Sequence, residues 1–539
     1  MTEIDEEKAF AAIKKSVAQS SEDWQLQIVD KYQNLKNVSN DTLPGLWDSL
    51  EFELAVQKIL NIADCTLPFA GIVLGSPSSL KTVGIELFRR WHHVFYTDSF
   101  SAKAMVSHST AVKKEELAKI DMLPKIKNKL LLTPELSPTF AKKDDDLIEI
   151  LGILTRVLDG HGYESDTGAH GHRGYNEAMM FVWIGAAVDI PYKVHKYLGT
   201  LGPKLYFKRL RKLYKKEQDY YDELDKDFAD KIDKVSVALF DYLEWFESCP
   251  DMSLDKQSDL QKMTWYPEKD DPQAKRYIIR LAMLLAHLRG VVPTWETREG
   301  GQGTEYAYTI ATIEEPDRAI TQLRNLARGH ALSQGRNYIN KEDIPLVIEV
   351  VFSTASMERV RILELLIASG GTLTTTQITS SLNTSPNTAK RTMAEFKALG
   401  IADMPEVKGN EEKKIVLYQT FSWFLTSEFQ KLKNYKGAVR NLPPYYSEGK
   451  YPVRTEIELE EEDEGLGGSF SYDKLEVFPP KCYRCDFSNY GTKGEYDYHC
   501  VTKHPGKLAY PGPVDIKESN LTPQGMSWES WSAKSDSLS

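Results

Sequence analysis

Apolar positions recur at helical spacing through the first part of the chain: Phe10, Ile13 and Val17, then Trp24, Ile28 and Tyr32. This spacing predicts a helical N-terminal region over residues 6–60, interrupted by a loop at 39–44. At 71–74 the pattern changes to a continuous apolar run that breaks into small residues, as a buried strand does on leaving a sheet. Comparable runs at 93–96, 130–132, 181–187 and 204–211 predict further strands, with helices at 83–91 and 144–158. Residues 159–175, DGHGYESDTGAHGHRGY, combine glycines with flanking tyrosines and predict a hairpin whose tip lies near 168–174. Val235, Leu239, Tyr242 and Trp245 then form an apolar stripe in the charged helical segment 215–249, a pattern of helix-to-helix packing. Residues 274–289 and 318–334 read as helices, and Asn340 caps another that begins KEDIPLVIEVV.

From residue 357 the elements become short. Helices are predicted at 358–368, 375–382 and 385–399, with Asn383-Thr384 as the turn between the last two and Gly400 as the stop. Residues 401–418 can fold back as a two-stranded hairpin, and three short helices followed by a hairpin make the winged-helix pattern. Residues 442–468 read as a linker, with Pro443-Pro444 and an acidic run at 458–464. The serine-rich end of the chain, 511–539, is expected to be disordered.

Composition bounds these readings. A chain of 539 residues exceeds one ordinary core and, at about 150 residues per domain, predicts roughly three or four units. No apolar run approaches the ~18 residues needed to span a bilayer, and MTEIDEEKAF carries no apolar signal region, so a cytoplasmic protein without membrane partners is expected. The net charge of −11 argues against a uniformly basic coat and confines any nucleic-acid contact to particular surfaces. Of five cysteines, Cys65 and Cys249 are isolated and fit packed thiols, whereas Cys482, Cys485 and Cys500 crowd together.

The first chemical signal is Gly75-Ser76-Pro77-Ser78-Ser79-Leu80-Lys81-Thr82. A strand, a glycine, four small or turn-prone residues and then Lys-Thr is the shape of a Walker A loop, which cradles phosphates with backbone N–H groups. Leu80 stands where the second glycine is usual, and its side chain makes the tight conformation harder to form. An ordinary strand-to-helix turn is the alternative. The strand at 130–132 ends in Thr133-Pro134-Glu135, so Glu135 takes the place of the carboxylate that orients the attacking water, while Pro134 replaces the magnesium-side aspartate. In the hairpin, His161, His170 and His172 lack a nearby thiolate or helical spacing, which disfavours a metal site there.

Taken in order, these motifs resemble the AAA+ ATPases, and residues 315–343, EPDRAITQLRNLARGHALSQGRNYINKED, resemble the lid helices of the minichromosome maintenance helicases and MoxR-type ATPases. The resemblance implies an α/β P-loop NTPase core (AAA+) with a helical lid, followed by a winged-helix domain and a small zinc module. It divides the chain into a helical N-terminal region 1–60, the core 61–272, the lid 273–355, the winged helix 356–435, an acidic linker 436–475, the zinc module 476–510 and the tail 511–539. It further implies ATP and Mg²⁺ as cofactors and assembly into a homo-oligomer. Arg318 becomes the candidate sensor 2 arginine, with Arg324 and Arg328 as substitutes, and Arg209 or Arg211 the candidate arginine finger reaching the neighbouring subunit's nucleotide. The hairpin falls where related helicases insert a DNA-touching hairpin, which nominates His172 and Arg173. The strand at 181–187 ends Gly-Ala-Ala, without the polar residue such ATPases place there.

The second helix of a helix-turn-helix pair enters the major groove, which nominates Ser385, Asn387, Thr388, Lys390 and Arg391 for DNA contact. Such a module can equally dock a protein. Cys482-x2-Cys485, thirteen residues, His499, four residues and His504 match the spacing of a tetrahedral Zn²⁺ site, with Cys500 able to replace His499. The expectation is an ATP-dependent ATPase acting on DNA, of the helicase or helicase-loader kind, in replication, recombination or mobile-element maintenance, with replication or regulatory protein partners. The alternatives are a nucleotide-switched DNA-binding regulator with weak or no hydrolysis, and a MoxR-like ATPase that remodels proteins.

Overall fold

The fold is built outward from β1, Phe69–Leu74, whose six residues are all buried. Burial on both faces requires helices on both sides and neighbours along both edges. The computed structural model supplies them: β1 pairs in parallel with β6, Val182–Ala187, on one side and β7, Leu205–Arg209, on the other. Beyond β6 lie β3, Leu130–Thr133, and β2, Val94–Tyr96, so that the sheet order is β2-β3-β6-β1-β7. The structure describes residues 21–434 apart from 111–112, 169, 214, 298–304, 309 and 407–410. The early stripe Phe10, Ile13, Val17, the acidic linker, the Cys482/Cys485/His499/His504 cluster with Cys500, and the tail lie outside the described residues.

The five strands occur where the apolar runs placed them: β1 and β3 run one or two residues beyond the expected bounds, and β2, β6 and β7 are trimmed. Helix α1, Ser21–Thr42, buries the stripe Trp24, Ile28 and Tyr32, and α2, Leu46–Lys58, lies against the sheet, the ring of Phe52 coming within 2.6 Å of where a Cβ on Gly71 would stand. The helix after the first loop, α3, Lys81–Leu87, is shorter than its apolar pattern suggests. Helices α4, Asp144–Val157, and α5, Tyr192–Leu201, belong to the opposite face, where Leu147, Leu151, Val194 and Leu198 join a core with Trp183 and Phe207. The charged segment 215–249 is broken into Glu217–Glu223 and α6, Phe228–Glu247, whose predicted stripe Val235, Leu239, Tyr242 and Trp245 is buried.

Three further helices, α7 (Pro272–Arg289), α8 (Asp317–Ser333) and α9 (Ile344–Thr354), pack behind α2 and β7. Asn340 caps a short 3₁₀ turn, Lys341–Asp343, which leads into α9. The region that follows comprises α10, Met357–Ala368, α11, Thr375–Leu382, and α12, Pro386–Ala398. A three-stranded antiparallel sheet accompanies them, with Lys414–Leu417 between Thr372–Thr374 and Ala402–Asp403. Its first strand, and the hairpin Met252–Asp255 with Leu260–Met263, were not expected from the pattern, because three or four residues are too few to show a period. This region is docked on the core: Arg359 donates to Leu288 O at 2.6 Å and Gly290 O at 2.7 Å, His287 Nδ1 lies 2.6 Å from Leu399 O, and Tyr277 stacks on Trp423. Among the described residues no helix is long and apolar enough to cross a membrane.

Helices α2 and α8 cross at Gly329, where an added Cβ would meet the backbone carbonyl of Ala55. The absent side chain sets the distance of approach. Gly329→Ala is therefore expected to destabilise the protein by about 1–3 kcal/mol through overpacking against backbone, seen as a lowered melting temperature by circular dichroism. An unchanged melting temperature would show that the crossing is not tight.

Candidate functional site

In a parallel sheet the carboxyl ends of the strands share one edge, where the following loops can meet. Three such loops do meet here. Gly75 N–H, just past β1, donates to Ala187 O at 3.2 Å; Leu136 N–H, past β3, donates to Ala186 O at 2.7 Å; and Val188 N–H, past β6, donates to Ser137 Oγ at 3.1 Å. These bonds place the Gly75–Thr82 loop, the end of β6 and the Glu135 turn side by side.

The Gly75–Thr82 loop holds a strained course. Ser78 and Leu80 both have left-handed backbone, with φ of 63° and 64°. Leu80 thus adopts the conformation for which glycine is favoured, at a cost of about 1–2 kcal/mol. Its side chain packs on the core, which offsets part of that cost. At Gly75 a Cβ would collide with Ser79 Oγ, and that hydroxyl is itself buried without a hydrogen-bond partner. Lys81 is 6 % exposed. Among the described residues this edge carries the ion pair Arg209–Asp189 and the Lys208/Arg211 cluster described below, and Lys81 belongs to neither. Glu135 is half-buried, and its Oε1 accepts the N–H of Ser137 at 2.8 Å, turning the carboxylate into its own loop.

Arg209 ends β7 directly opposite Leu74 of β1. Its Nη2 donates to Asp189 at 2.8 Å, within the same chain. Burial pushes the Asp189 carboxyl up, and the Arg209 contact outweighs it, leaving the group below the usual carboxylate range. Asp189, two residues beyond the apolar end of β6, is the polar group at this edge that the motif reading missed; its signal was a lone acid immediately after a buried strand. Beside it Lys208 is buried between Asp48 at 2.7 Å and Glu349 at 2.8 Å, while Arg211 bonds Glu349 and takes Asp48 on its backbone N–H. Burial lowers the tendency of Lys208 to hold its proton, but the two carboxylates prevail and hold its affinity well above the ordinary ammonium value. Asp48 and Glu349 were legible only as acids interrupting the apolar helices LWDSLEFELAV and IPLVIEVV.

Arg318 is not at this edge. Its guanidinium donates to Asp159 at 2.8 Å and to Leu158 O at 2.6 Å, next to Gly160, which abuts Pro68 before β1 begins. Helix α8 is fixed there by Gln322 Nε2, which donates to Pro68 O at 2.7 Å. The substitutes are also committed to that end of the sheet: Arg328 pairs with Asp64, and Arg324 with Asp270 at 3.4 Å. A six-residue strand, about 20 Å, separates this group from the Lys81 loop.

The predicted hairpin forms as β4, Tyr163–Thr167, and β5, Gly171–Tyr175, so residues 171–174, expected near the tip, belong to a strand. Arg173 does not present its charge to solvent. Its side chain is 10 % exposed and donates to the fully buried Asp121 at 2.8 Å, which also accepts the hydroxyl of Tyr175. His172 is exposed between Glu164 and Asp166, and bonds to these acids raise its proton affinity. The expected pair of DNA contacts is thus one structural tether and one imidazole on an acidic ribbon.

On α12, Ser385, Asn387, Thr388, Lys390 and Arg391 are all exposed, while Ala389, Met393 and Phe396 face the core. Ser385 Oγ caps the helix by accepting Thr388 N–H at 3.1 Å. The expected exposed face is therefore present, with Lys397, Lys413 and Lys414 exposed nearby and Glu411 and Glu412 among them.

Behind the Lys81 loop lies Glu53, fully buried on α2, with neither carboxylate oxygen hydrogen-bonded. Both oxygens are 2.6 Å from where a Cβ on Gly84 of α3 would stand. Burial raises its proton affinity well above that of an ordinary carboxylate, so the folded state holds a proton to higher pH than the unfolded chain does. For a carboxyl shifted upward, stability declines as pH rises above the unfolded value. Glu53→Gln should gain on the parent by up to about 1.4 kcal/mol per pH unit above that value, a difference read from melting temperatures between pH 5 and 8. A pH-independent difference would mean that Glu53 is ionised in the fold.

Compared with known proteins, the chain matches no family model and no curated sequence.

Proposed function

We propose that the chain is an ATP-dependent AAA+ ATPase acting on DNA, of the helicase or helicase-loader kind, working as a homo-oligomer in the cytoplasm. The observation that carries this reading is the meeting of the Gly75–Thr82 loop with the Glu135 turn at the carboxyl edge of a sheet ordered β2-β3-β6-β1-β7. The residues fit a phosphate ligand: a loop too tight at Gly75 for a side chain, a buried hydroxyl at Ser79 without a partner, and a buried lysine outside the ion pairs of that edge.

Bound ATP with Mg²⁺ would supply the phosphoryl group to be transferred. Lys81 would hold the β- and γ-phosphates, Thr82 would lend its hydroxyl to the metal, and Glu135 would orient water through Oε2. Arg209, on the strand next to the loop, would balance charge developing there. Purified protein should hydrolyse ATP faster with DNA present, and Lys81→Ala should reduce turnover at least 100-fold, measured as phosphate release. Tight nucleotide binding without phosphate release would instead favour the switch reading, which Pro134 and the inward-turned Glu135 support.

The DNA-facing part is the winged-helix reading of residues 357–417, with α12 as the helix offered to nucleic acid and Cys482, Cys485, His499 and His504 as ligands of a separate Zn²⁺ module. Lys390→Ala and Arg391→Ala should each weaken duplex binding and lower the slope of log K against log salt by about 1, measured by fluorescence anisotropy. Affinity that does not depend on salt would point to a protein partner and to the remodelling alternative.

A further inference from the structure

A second site lies away from the Lys81 loop, where the turn after α3 meets the end of α6. Trp91 in that turn packs on Phe240 of α6, ring centroids 5.9 Å apart, and thereby fixes the two residues that follow. The rings of His92 and His93 lie 4.1 Å apart, tilted by 51°. Consecutive residues usually direct their side chains apart; here both offer a ring nitrogen to Glu247, the last residue of α6. One ligand atom from each of His92, His93 and Glu247 lies within 4.8 Å of the other two, and this is the one such cluster among the described residues. His92 Nε2 is already 3.6 Å from Glu247 Oε2, close to the ~3.4 Å edge expected between ligands at metal distances of about 2.1 Å around a tetrahedral ion.

The geometry points to a divalent transition-metal site formed by His92, His93 and Glu247. Two imidazoles and one carboxylate suit a borderline ion such as Zn²⁺, Co²⁺ or Ni²⁺ more than Mg²⁺ or Ca²⁺, which prefer oxygen. The His92 ring is 54 % exposed, so it can turn to close the remaining gap and the site is reached from solvent. Three protein ligands leave a position for water. Such an ion would clamp the turn following α3 to α6, and so fix the far end of the helix whose near end carries Lys81. Its competitor is a simple charge balance between Glu247 and the buried Lys58, whose ammonium lies 3.4 Å from the Phe246 ring centroid.

The test uses the full-length chain, stripped of metal and titrated with Co²⁺. His92→Ala changes a largely exposed ring and Glu247→Gln keeps the side-chain shape. Each variant should bind one equivalent of Co²⁺ fewer per chain and lose the weak visible bands of nitrogen and oxygen ligation. Any intense thiolate charge-transfer bands from Cys482 and Cys485 should persist. Metal-free melting temperature identifies a variant that fails to fold, and His93→Ala then replaces it. Unchanged Co²⁺ stoichiometry in the variants, or loss in only one of them, would overturn the three-ligand site.

Discussion

Helix α2 is enclosed on every side, and that enclosure constrains the rest of the molecule. Of its 13 residues, 12 are buried and the other, Asp48, is half-buried, yet four of them are charged: Asp48, Glu51, Glu53 and Lys58. An ionised group taken from water costs several kcal/mol unless it is paired or neutralised. The four groups find four different solutions, and each one binds α2 to another part of the fold. Asp48 meets Lys208 and Arg211 at the end of β7. Glu51 faces His330 of α8 at 3.3 Å. Lys58 lies over the rings of Tyr242 and Phe246 of α6. Glu53 has no hydrogen-bond partner, and burial against α3 raises its proton affinity.

Two of these solutions extend into charge clusters that join α2 to distant elements. Asp48 and Glu349 together neutralise Lys208 and Arg211, which flank Arg209, so the guanidinium beside the loop is held by a strand whose neighbouring charges are fixed from α2 and α9. At the other end, His330 sits between Asp343 at 2.8 Å and Glu51, and Arg336 bonds Asp343 at 2.9 Å. Burial opposes protonation of His330, but the two carboxylates outweigh it and raise its proton affinity. Its contribution to stability is therefore complete below the unfolded imidazole range and lost as pH rises through the folded value. Removing one member of either cluster leaves an unpaired buried charge, whereas the individual bonds are worth little alone.

The sequence announced the sheet because buried strands are continuous apolar runs, and it announced Lys81 and Glu135 because each ends the short loop that follows such a run. The long helices were legible from Trp24, Ile28 and Tyr32 or from Val235, Leu239 and Tyr242, whose spacing reports a buried face. Short pairings such as Met252–Asp255 with Leu260–Met263 carry no period and depend on contacts across the chain, which a pattern cannot report. Partners of buried charges were hidden for the same reason: Asp48 and Glu349 stand about 300 residues apart in sequence and acquire meaning only when Lys208 comes between them. The Leu80 backbone shows a further limit. Sequence preference counts the steric cost of a left-handed leucine, but the packing of its side chain on the core offsets part of that cost.

Residues on strand ends and residues on packed helices differ in what their order implies. A parallel strand fixes its own direction, so groups following β1, β3, β6 and β7 must share one edge, and Arg209 and Asp189 join Lys81 there by topology alone. A helix can dock anywhere along its neighbour, and Gly329 permits α8 to approach α2 at a crossing that carries Arg318 to the opposite edge. In the proposed reading, charge stabilisation from within the chain therefore falls to Arg209. Its guanidinium and the Asp189 side chain are 30 % and 67 % exposed, and ion pairs so open to water contribute about 0–1 kcal/mol. A phosphate at Lys81 could draw Arg209 from Asp189 at little cost, whereas drawing Lys208 would break a buried pair. The accessible arginine is available for exchange while its buried neighbour holds the strand in place.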